Sequence, residues 1–305
     1  MDFLSAIKSI AGEECIFCNE MMSDHTTFKV GGPAKYFVVP YRAEDIKKYI
    51  LAAEEYKIPF YVIGNGSNLL VSDKGYDGMI IMLGRDLGNI TVNGDMITAE
   101  AGTSLARLFN TARRHSLSGL EFAAGIPGTL GGACYMNAGA YGGEMKDVLT
   151  KVVTIDRQGN THEYKQGEME LSYRNSIFIR KQEIILSAEM KLCKGDVEKM
   201  TRKVNELLEK RKEKQPLEYP SAGSTFKRPE GDFAGRLIEE CGLKGKGVNG
   251  AEVSKKHAGF IINRNNATAR DIYDTINLVI DTVLEKTGIK LEPEVRLLGD
   301  FSGNT

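Results

Sequence analysis

The sequence predicts an α+β chain in two parts, and three observations carry that reading. At 305 residues it is long enough for two domains of ordinary size. Up to about residue 195, short apolar runs, helix-patterned runs and glycine-rich turns alternate. From residue 196 the character changes to a long charged helix followed by a shorter mixed segment.

The elements follow in order. "AKYFVVP" at 34–40 reads as a strand, and "AEDIKKYILAAEEYK" at 43–57 spaces its apolar residues as a helix does. "PFYVIG" at 59–64 is a buried strand running into a glycine loop. "NITVNGDMITAEAG" is a hairpin turning at Asn93-Gly94. "TSLARLFNTARRHSL" at 103–117 is a helix capped by Thr103 or Ser104. A second hairpin lies in "KVVTIDRQGNTHEYK" at 151–165, and "EIILSAEMKL" at 183–192 is a further strand. "DVEKMTRKVNELLEKRKEK" at 196–214 is a helix stopped by Pro216, its charges a solvated face. Its start sets the expected division into 1–195 and 196–305. Beyond it come a helix at 232–244, the β-type runs "AEVS" and "HAGFIIN", an amphipathic helix at 269–288 and a last strand, "IKLEPEVRLLG".

Composition narrows the function classes. Hydrophobic residues at 42% and charged residues at 27% are globular values. A net charge of -1 supplies no bulk field for nucleic acid or an acidic membrane. No apolar run approaches the roughly 20 residues that span a bilayer, so membrane insertion is not expected. "MDFLSAIKSIAGEE" has an early acid and no apolar signal core, which fits a soluble, cytoplasmic protein. Five cysteines, an odd number, argue against a disulfide framework. Cys15 and Cys18 form one C-x-x-C without a second pair, and the four histidines are scattered, so no metal site is expected.

Two glycine clusters point to a ligand. "GNGSNLLVSD", from Gly64 to Asp73, follows an apolar strand. Its alternate glycines let backbone amides approach phosphate oxygens, and Ser67 and Asn68 add donors. The third glycine of a Rossmann fingerprint would fall at Leu69, and no Gly-Lys-Ser/Thr appears, so neither common nucleotide loop is present. "GLEFAAGIPGTLGGACYMNAGAYGG" at 119–143 is richer still. A flexible linker would be polar, whereas Phe122, Ile126, Leu130, Tyr135 and Met136 sit among these glycines, which favours a ligand wall. Such loops suit a ligand with a pyrophosphate and a flat ring, as a flavin dinucleotide has. "PSAGSTFKRP" at 220–229 reads as a turn and helix cap or as a reactive serine beside an anion site, and its ten residues alone do not decide.

Six stretches decide together. "TTFKVGGPAKYFVVP", "YVIGNGSNLLVSDKGYDGMII", "EFAAGIPGTLGGACYMNAGAYG", "SYRNSIF", "YPSAGSTFKRP" and "LEPEVRLLG" occur in this order over most of the chain. The sequence thereby resembles the UDP-N-acetylenolpyruvoylglucosamine reductase family. The resemblance implies an FAD-binding domain of the vanillyl-alcohol-oxidase type, with two α+β subdomains, followed by an α+β substrate-binding domain. It implies that NADPH reduces FAD and leaves, and that the enolpyruvyl ether of UDP-N-acetylglucosamine then takes the hydride and a proton. "IGNGSN" has no histidine for a covalent flavin link, so non-covalent FAD is expected. The expected FAD contacts are Ile63, Gly64, Asn65, Gly66, Ser67 and Asn68 in the first loop. In the second they are Gly125, Ile126, Pro127, Gly128, Gly131, Gly132, Asn137 and Gly139.

The resemblance also assigns roles. Arg174, in "SYRNS", matches the catalytic arginine; its fork would pair the substrate carboxylate, the alternative being a surface charge. Ser224 matches the proton donor, a very weak acid suited only to a strongly basic enolate. Glu294, in "EPEVR", matches the family's glutamate, with Glu292 a rival two residues away. Substrate contacts are expected at Tyr141, Tyr173, Lys214, Lys227, Arg228, Lys244 and His257, the cations serving the UDP diphosphate; the alternative for each is a solvated side chain. Asn249 also lies where family members contact substrate. From Pro229 to Gly250 there is no room for the inserted tyrosine loop of the longer class, so the chain resembles the shorter class.

Overall fold

The computed structural model describes residues 2–303; Met1, Asn304 and Thr305, at the ends of the two expected domains, lie outside the described residues. The chain packs as two compact units. One comprises Met1–Cys18, Tyr36–Asn65 and Gly78–Lys210, the other Asn19–Lys35, Gly66–Asp77 and Arg211–Thr305. Two short N-terminal segments thus belong with the C-terminal third, and the last border falls inside the helix Val197–Lys214.

The first unit is built on a five-stranded sheet, in the order Thr161–Lys165, Leu149–Ile155, Ile184–Lys191, Met96–Glu100, Ile90–Asn93. Neighbouring strands are antiparallel, and alternation selects the buried face: Ile97 pairs with Met190 and Ala99 with Ala188, all buried. In the first hairpin Asn93 pairs with Met96, so the turn is Gly94-Asp95 rather than Asn93-Gly94. Gly94 takes φ 63°, which a two-residue hairpin turn asks of its first residue. The helix Leu105–Arg114 is capped by Ser104, whose hydroxyl accepts from Arg107 N, while Thr103 is buried. In a second sheet Phe60–Ile63 runs parallel to Tyr76–Met82, from Phe60↔Met79 to Ile63↔Met82, and delivers the chain to Gly64.

The second unit holds a three-stranded antiparallel sheet of Gly247–Val248, Ala251–Val253 and Ile261–Asn263. The helix Ala269–Thr287 buries Ile272, Ile276, Val279 and Val283 along one stripe. A capping box of Thr268 and Asp271 starts it, and Gly288 at φ 75° ends it. Leu69–Val71 pairs in parallel with Arg296–Leu298. The expected last strand is therefore short: ahead of Arg296 the chain is held by single contacts, and Pro293 has no N–H for a ladder. Sequence reading assigned no element to Phe3–Ala11 or Ile16–Met21, which form a helix and a strand. No helix among the described residues is long and apolar enough to cross a membrane.

Candidate active site

In the first unit the two glycine segments meet. A Cβ on Gly64 would lie 2.2 Å from Thr129 Oγ1, so only glycine fits there. Asn65 donates to Pro127 O at 3.3 Å. The Gly125–Thr129 segment is tied to 101–105 through Leu105 N to Gly128 O, Leu130 N to Thr103 O and Gly131 N to Ala101 O, at 3.1, 2.8 and 2.9 Å. Thr103 Oγ1 is buried with no hydrogen-bond partner among the described residues. The second glycine segment is in part the helix Leu130–Tyr135, and Gly131 there lets its backbone lie against Ala101.

Arg174 and Tyr173 are the two central residues of a tight turn closed by Ser172 and Asn175, which exchange amide bonds at 3.2 and 3.1 Å. Arg174 takes φ 53°, a left-handed conformation at which only small or Asx residues are usual, so the turn holds an arginine against its backbone preference. Its guanidinium lies 5.4 Å from the Tyr173 ring centre. Gly139–Ala140 and Gly143–Glu144 form a small hairpin that sequence reading did not identify, with Tyr141 and Gly142 in its loop at φ 52° and 89°. Tyr141 and Tyr173 are both largely exposed. A Cβ on Gly139 would meet Glu144 Cβ at 2.7 Å, so the hairpin itself accounts for that glycine. Asn137, expected at the cofactor, spends its whole carboxamide inside this unit: it donates to Glu144 Oε2 and Ser172 O and accepts from Lys146 N.

In the second unit Gly66 has φ 58°, and a Cβ there would lie 2.0 Å from His25 O. Thr27 donates its N–H to Gly66 O at 3.3 Å, and Thr27 Oγ1 is buried without a hydrogen-bond partner among the described residues. Asn68 gives one of its two amide hydrogens to Glu294 O at 3.2 Å.

Ser224 lies half-buried in a strap held on both sides. On one side Thr225 N donates to Gly259 O and Thr225 Oγ1 accepts from Ile261 N, at 2.8 and 3.1 Å. On the other, Glu294 N donates to Thr225 O at 2.7 Å, and Phe226 pairs with Pro293. The residue after the serine and the glutamate are thus hydrogen-bonded neighbours. Glu294 is half-buried, whereas Glu292 is exposed and engages Lys227 at 3.0 Å, which separates the two rivals.

The remaining cations differ. Lys244 pairs with Glu239 at 2.6 Å, Arg228 stacks on Phe233 at 5.3 Å, and Lys214 is exposed in the last turn of its helix. His257 Nδ1 accepts from Gly259 N at 3.1 Å. Asn249 donates to Asp271 Oδ1 at 2.7 Å, a bond to the capping box. A cavity of about 460 Å³ in this unit is lined by Lys29, Tyr219, Pro220 and residues 263–267, none of them expected site residues.

In the first unit the strand-delivered Gly64, the second glycine segment and the orphaned hydroxyl of Thr103 suit a cofactor rich in phosphate and hydroxyl oxygens, as an FAD-binding oxidoreductase holds. An FAD binding domain model matches residues 34–165, and the model of the UDP-N-acetylenolpyruvoylglucosamine reductase C-terminal domain matches 215–298. A UDP-N-acetylenolpyruvoylglucosamine reductase from Caldanaerobacter subterraneus is 50% identical, over 96% of this chain and 97% of the relative. One from Syntrophomonas wolfei is 52% identical, over 94% and 96%. The crystal structure of the enzyme from Thermus caldophilus superposes with a TM-score of 0.79 at 36% identity, covering 92% of this chain and 98% of that one. A grass pollen allergen with glucose dehydrogenase activity shares the fold alone, with a TM-score of 0.51 at 13% identity over 64% of this chain and 45% of its own. The chain belongs to the UDP-N-acetylenolpyruvoylglucosamine reductase family, the FAD-dependent oxidoreductases of peptidoglycan synthesis.

Proposed function

We propose that this chain uses NADPH to reduce the enolpyruvyl group of UDP-N-acetylglucosamine enolpyruvate to UDP-N-acetylmuramate, with Arg174, Ser224 and Glu294 as its catalytic residues. FAD, when bound non-covalently, would supply the relay of a hydride from NADPH to the terminal alkene carbon. Around FAD the chain would supply the backbone of Gly64, Gly66 and Gly125–Gly128. The part beyond residue 196 serves the nucleotide sugar.

The residues manage the charge that follows. Hydride addition at the terminal carbon leaves a carbanion delocalised into the adjacent carboxylate, an aci-carboxylate dianion that needs fixed positive charge and strong donors. Arg174 pairs the carboxylate bidentately and stays charged. Ser224 gives its proton to the carbon bearing the carboxylate, forming the C–H bond, and the resulting alkoxide is reprotonated from solvent. Glu294 acts beside it, protonated or through a water. Lys227 and Arg228 hold the diphosphate, whose oxygens compete with Glu292 for Lys227. The observation that carries the reading is the 2.7 Å bond from Glu294 N to Thr225 O, which makes Glu294 and the residue following Ser224 neighbours.

Ser224→Ala tests it. NADPH is expected to bleach the flavin of the variant at the wild-type rate, while return of the colour on adding the enolpyruvyl substrate slows by more than about 100-fold. An unchanged rate of return removes Ser224 from the proton-donor role.

A further inference from the structure

Asn137 is 1% exposed, and no step of the reaction uses it. Its partners nevertheless fix the orientation of its amide. Lys146 N must donate to an oxygen, and Glu144 Oε2 and Ser172 O must each receive a hydrogen, so Oδ1 faces Lys146 and the two Nδ2 hydrogens go to Glu144 at 2.7 Å and Ser172 at 3.0 Å. Both donors and one of the two acceptor places of the group are filled.

Those partners belong to two different turns. Ser172 closes the turn that carries Tyr173 and Arg174, and Glu144 pairs with Gly139 in the hairpin whose loop is Tyr141-Gly142. Arg174 and Tyr141 both stand at positive φ, 53° and 52°, a conformation each persists in only if its surroundings hold it. Asn137 is itself at φ 43°, immediately after the helix Leu130–Tyr135 and Met136. A second clamp holds the arginine turn from its other end, where Ser176 Oγ donates to Tyr135 O at 2.7 Å. The helix end thus grips the turn through Asn137 before Arg174 and through Ser176 after it.

We infer that Asn137 is a positioning residue: through one buried carboxamide it locks the Arg174 turn to the Tyr141 hairpin and so sets the direction of the guanidinium that receives the substrate carboxylate. The inference rests on the proposed role of Arg174. If Asn137 acts through Arg174, its loss is felt where the carboxylate is engaged and not where NADPH reacts, and it adds little once the guanidinium fork is gone.

The experiment is a double-mutant cycle with Asn137→Ala and Arg174→Lys, following each half-reaction by flavin absorbance under anaerobic conditions, with bound flavin per chain measured first. Bleaching by NADPH is expected within about threefold of wild type in every variant. Reoxidation by the enolpyruvyl substrate is expected to fall at least about tenfold in Asn137→Ala, and the double variant to be no slower than Arg174→Lys alone. Multiplicative losses in the double variant, equal losses in both half-reactions, or unchanged reoxidation in Asn137→Ala overturn the inference. Unchanged reoxidation in Arg174→Lys would instead overturn the role given to Arg174. If Asn137→Ala does not retain flavin, Asn137→Asp carries the same cycle: it keeps the shape and removes both donors, and the same outcomes decide.

Discussion

His257 sits edge-on to Phe260 at 4.8 Å, with Nδ1 accepting from Gly259 N. Burial lowers its pKa below 6.5, and the charge of Lys244 adds to the effect. The sign follows from proton counting. Above about pH 6.5 neither the folded nor the unfolded chain protonates this ring, and its contribution to stability is intact. As pH falls below 6.5, the unfolded chain takes up a proton that the folded chain accepts only at the lower value, so stability is lost across that interval. The melting temperature is expected to decline from about pH 6.5 downward, less steeply in His257→Gln. Identical pH slopes in the two proteins would show that His257 is not a source of the decline. Other residue-scale facts were open to sequence reading only in part. Motif order marks Ser224, Arg174 and Glu294, but the ion pair of Lys227 with Glu292 comes from a fold contact across 65 residues. No spacing rule announces Asn137 as a clamp, because its partners at 144 and 172 lie on separate turns.

At the scale of elements, Gly66 and Gly94 make a contrast. Both have positive φ, 58° and 63°. A Cβ at 94 would meet nothing within 4 Å, whereas one at 66 would be driven into the backbone oxygen of His25 at 2.0 Å. Gly94→Ala therefore costs only the left-handed conformation, about 1 kcal/mol. Gly66→Ala must also move the main chain of the loop proposed to hold the cofactor. Gly94→Ala is expected to keep its flavin and melt within about 4 °C of wild type; Gly66→Ala is expected to lose most of its flavin and melt more than about 5 °C lower. Full flavin content in Gly66→Ala would show that the loop's close packing is not required for the cofactor. Long periodic elements such as Ala269–Thr287 were legible because core burial and capping chemistry agree with the sequence pattern. The strand Leu69–Val71 was not, since its partner Arg296–Leu298 is more than 200 residues away and the chain between two glycine-rich turns reads as loop. The overlong last strand has the opposite cause: its apolar residues look strand-like, but Pro293 and single bridges keep it out of a ladder.

At the scale of the molecule, the chain is an FAD-dependent oxidoreductase whose sequence matches a reductase of the family over 96% of its length. The change of character at residue 196 set the expected division, whereas the grouping of residues 19–35 and 66–77 with the C-terminal third was not legible. Those segments are short, and their membership depends on long-range pairing such as Asn68 with Glu294 and Asp73 with the amides of Ala269 and Arg270. The first glycine loop consequently passes from one compact unit to the other between Asn65 and Gly66. The central claim, that one flavin takes a hydride from NADPH and gives it to an enolpyruvyl nucleotide sugar, is tested most directly by anaerobic titration of the purified holoenzyme. NADPH alone is expected to bleach the flavin band with one equivalent per flavin, and one equivalent of UDP-N-acetylglucosamine enolpyruvate to restore it while UDP-N-acetylmuramate forms. Failure of NADPH to bleach the band, or of the enolpyruvyl sugar to restore it, would contradict the account.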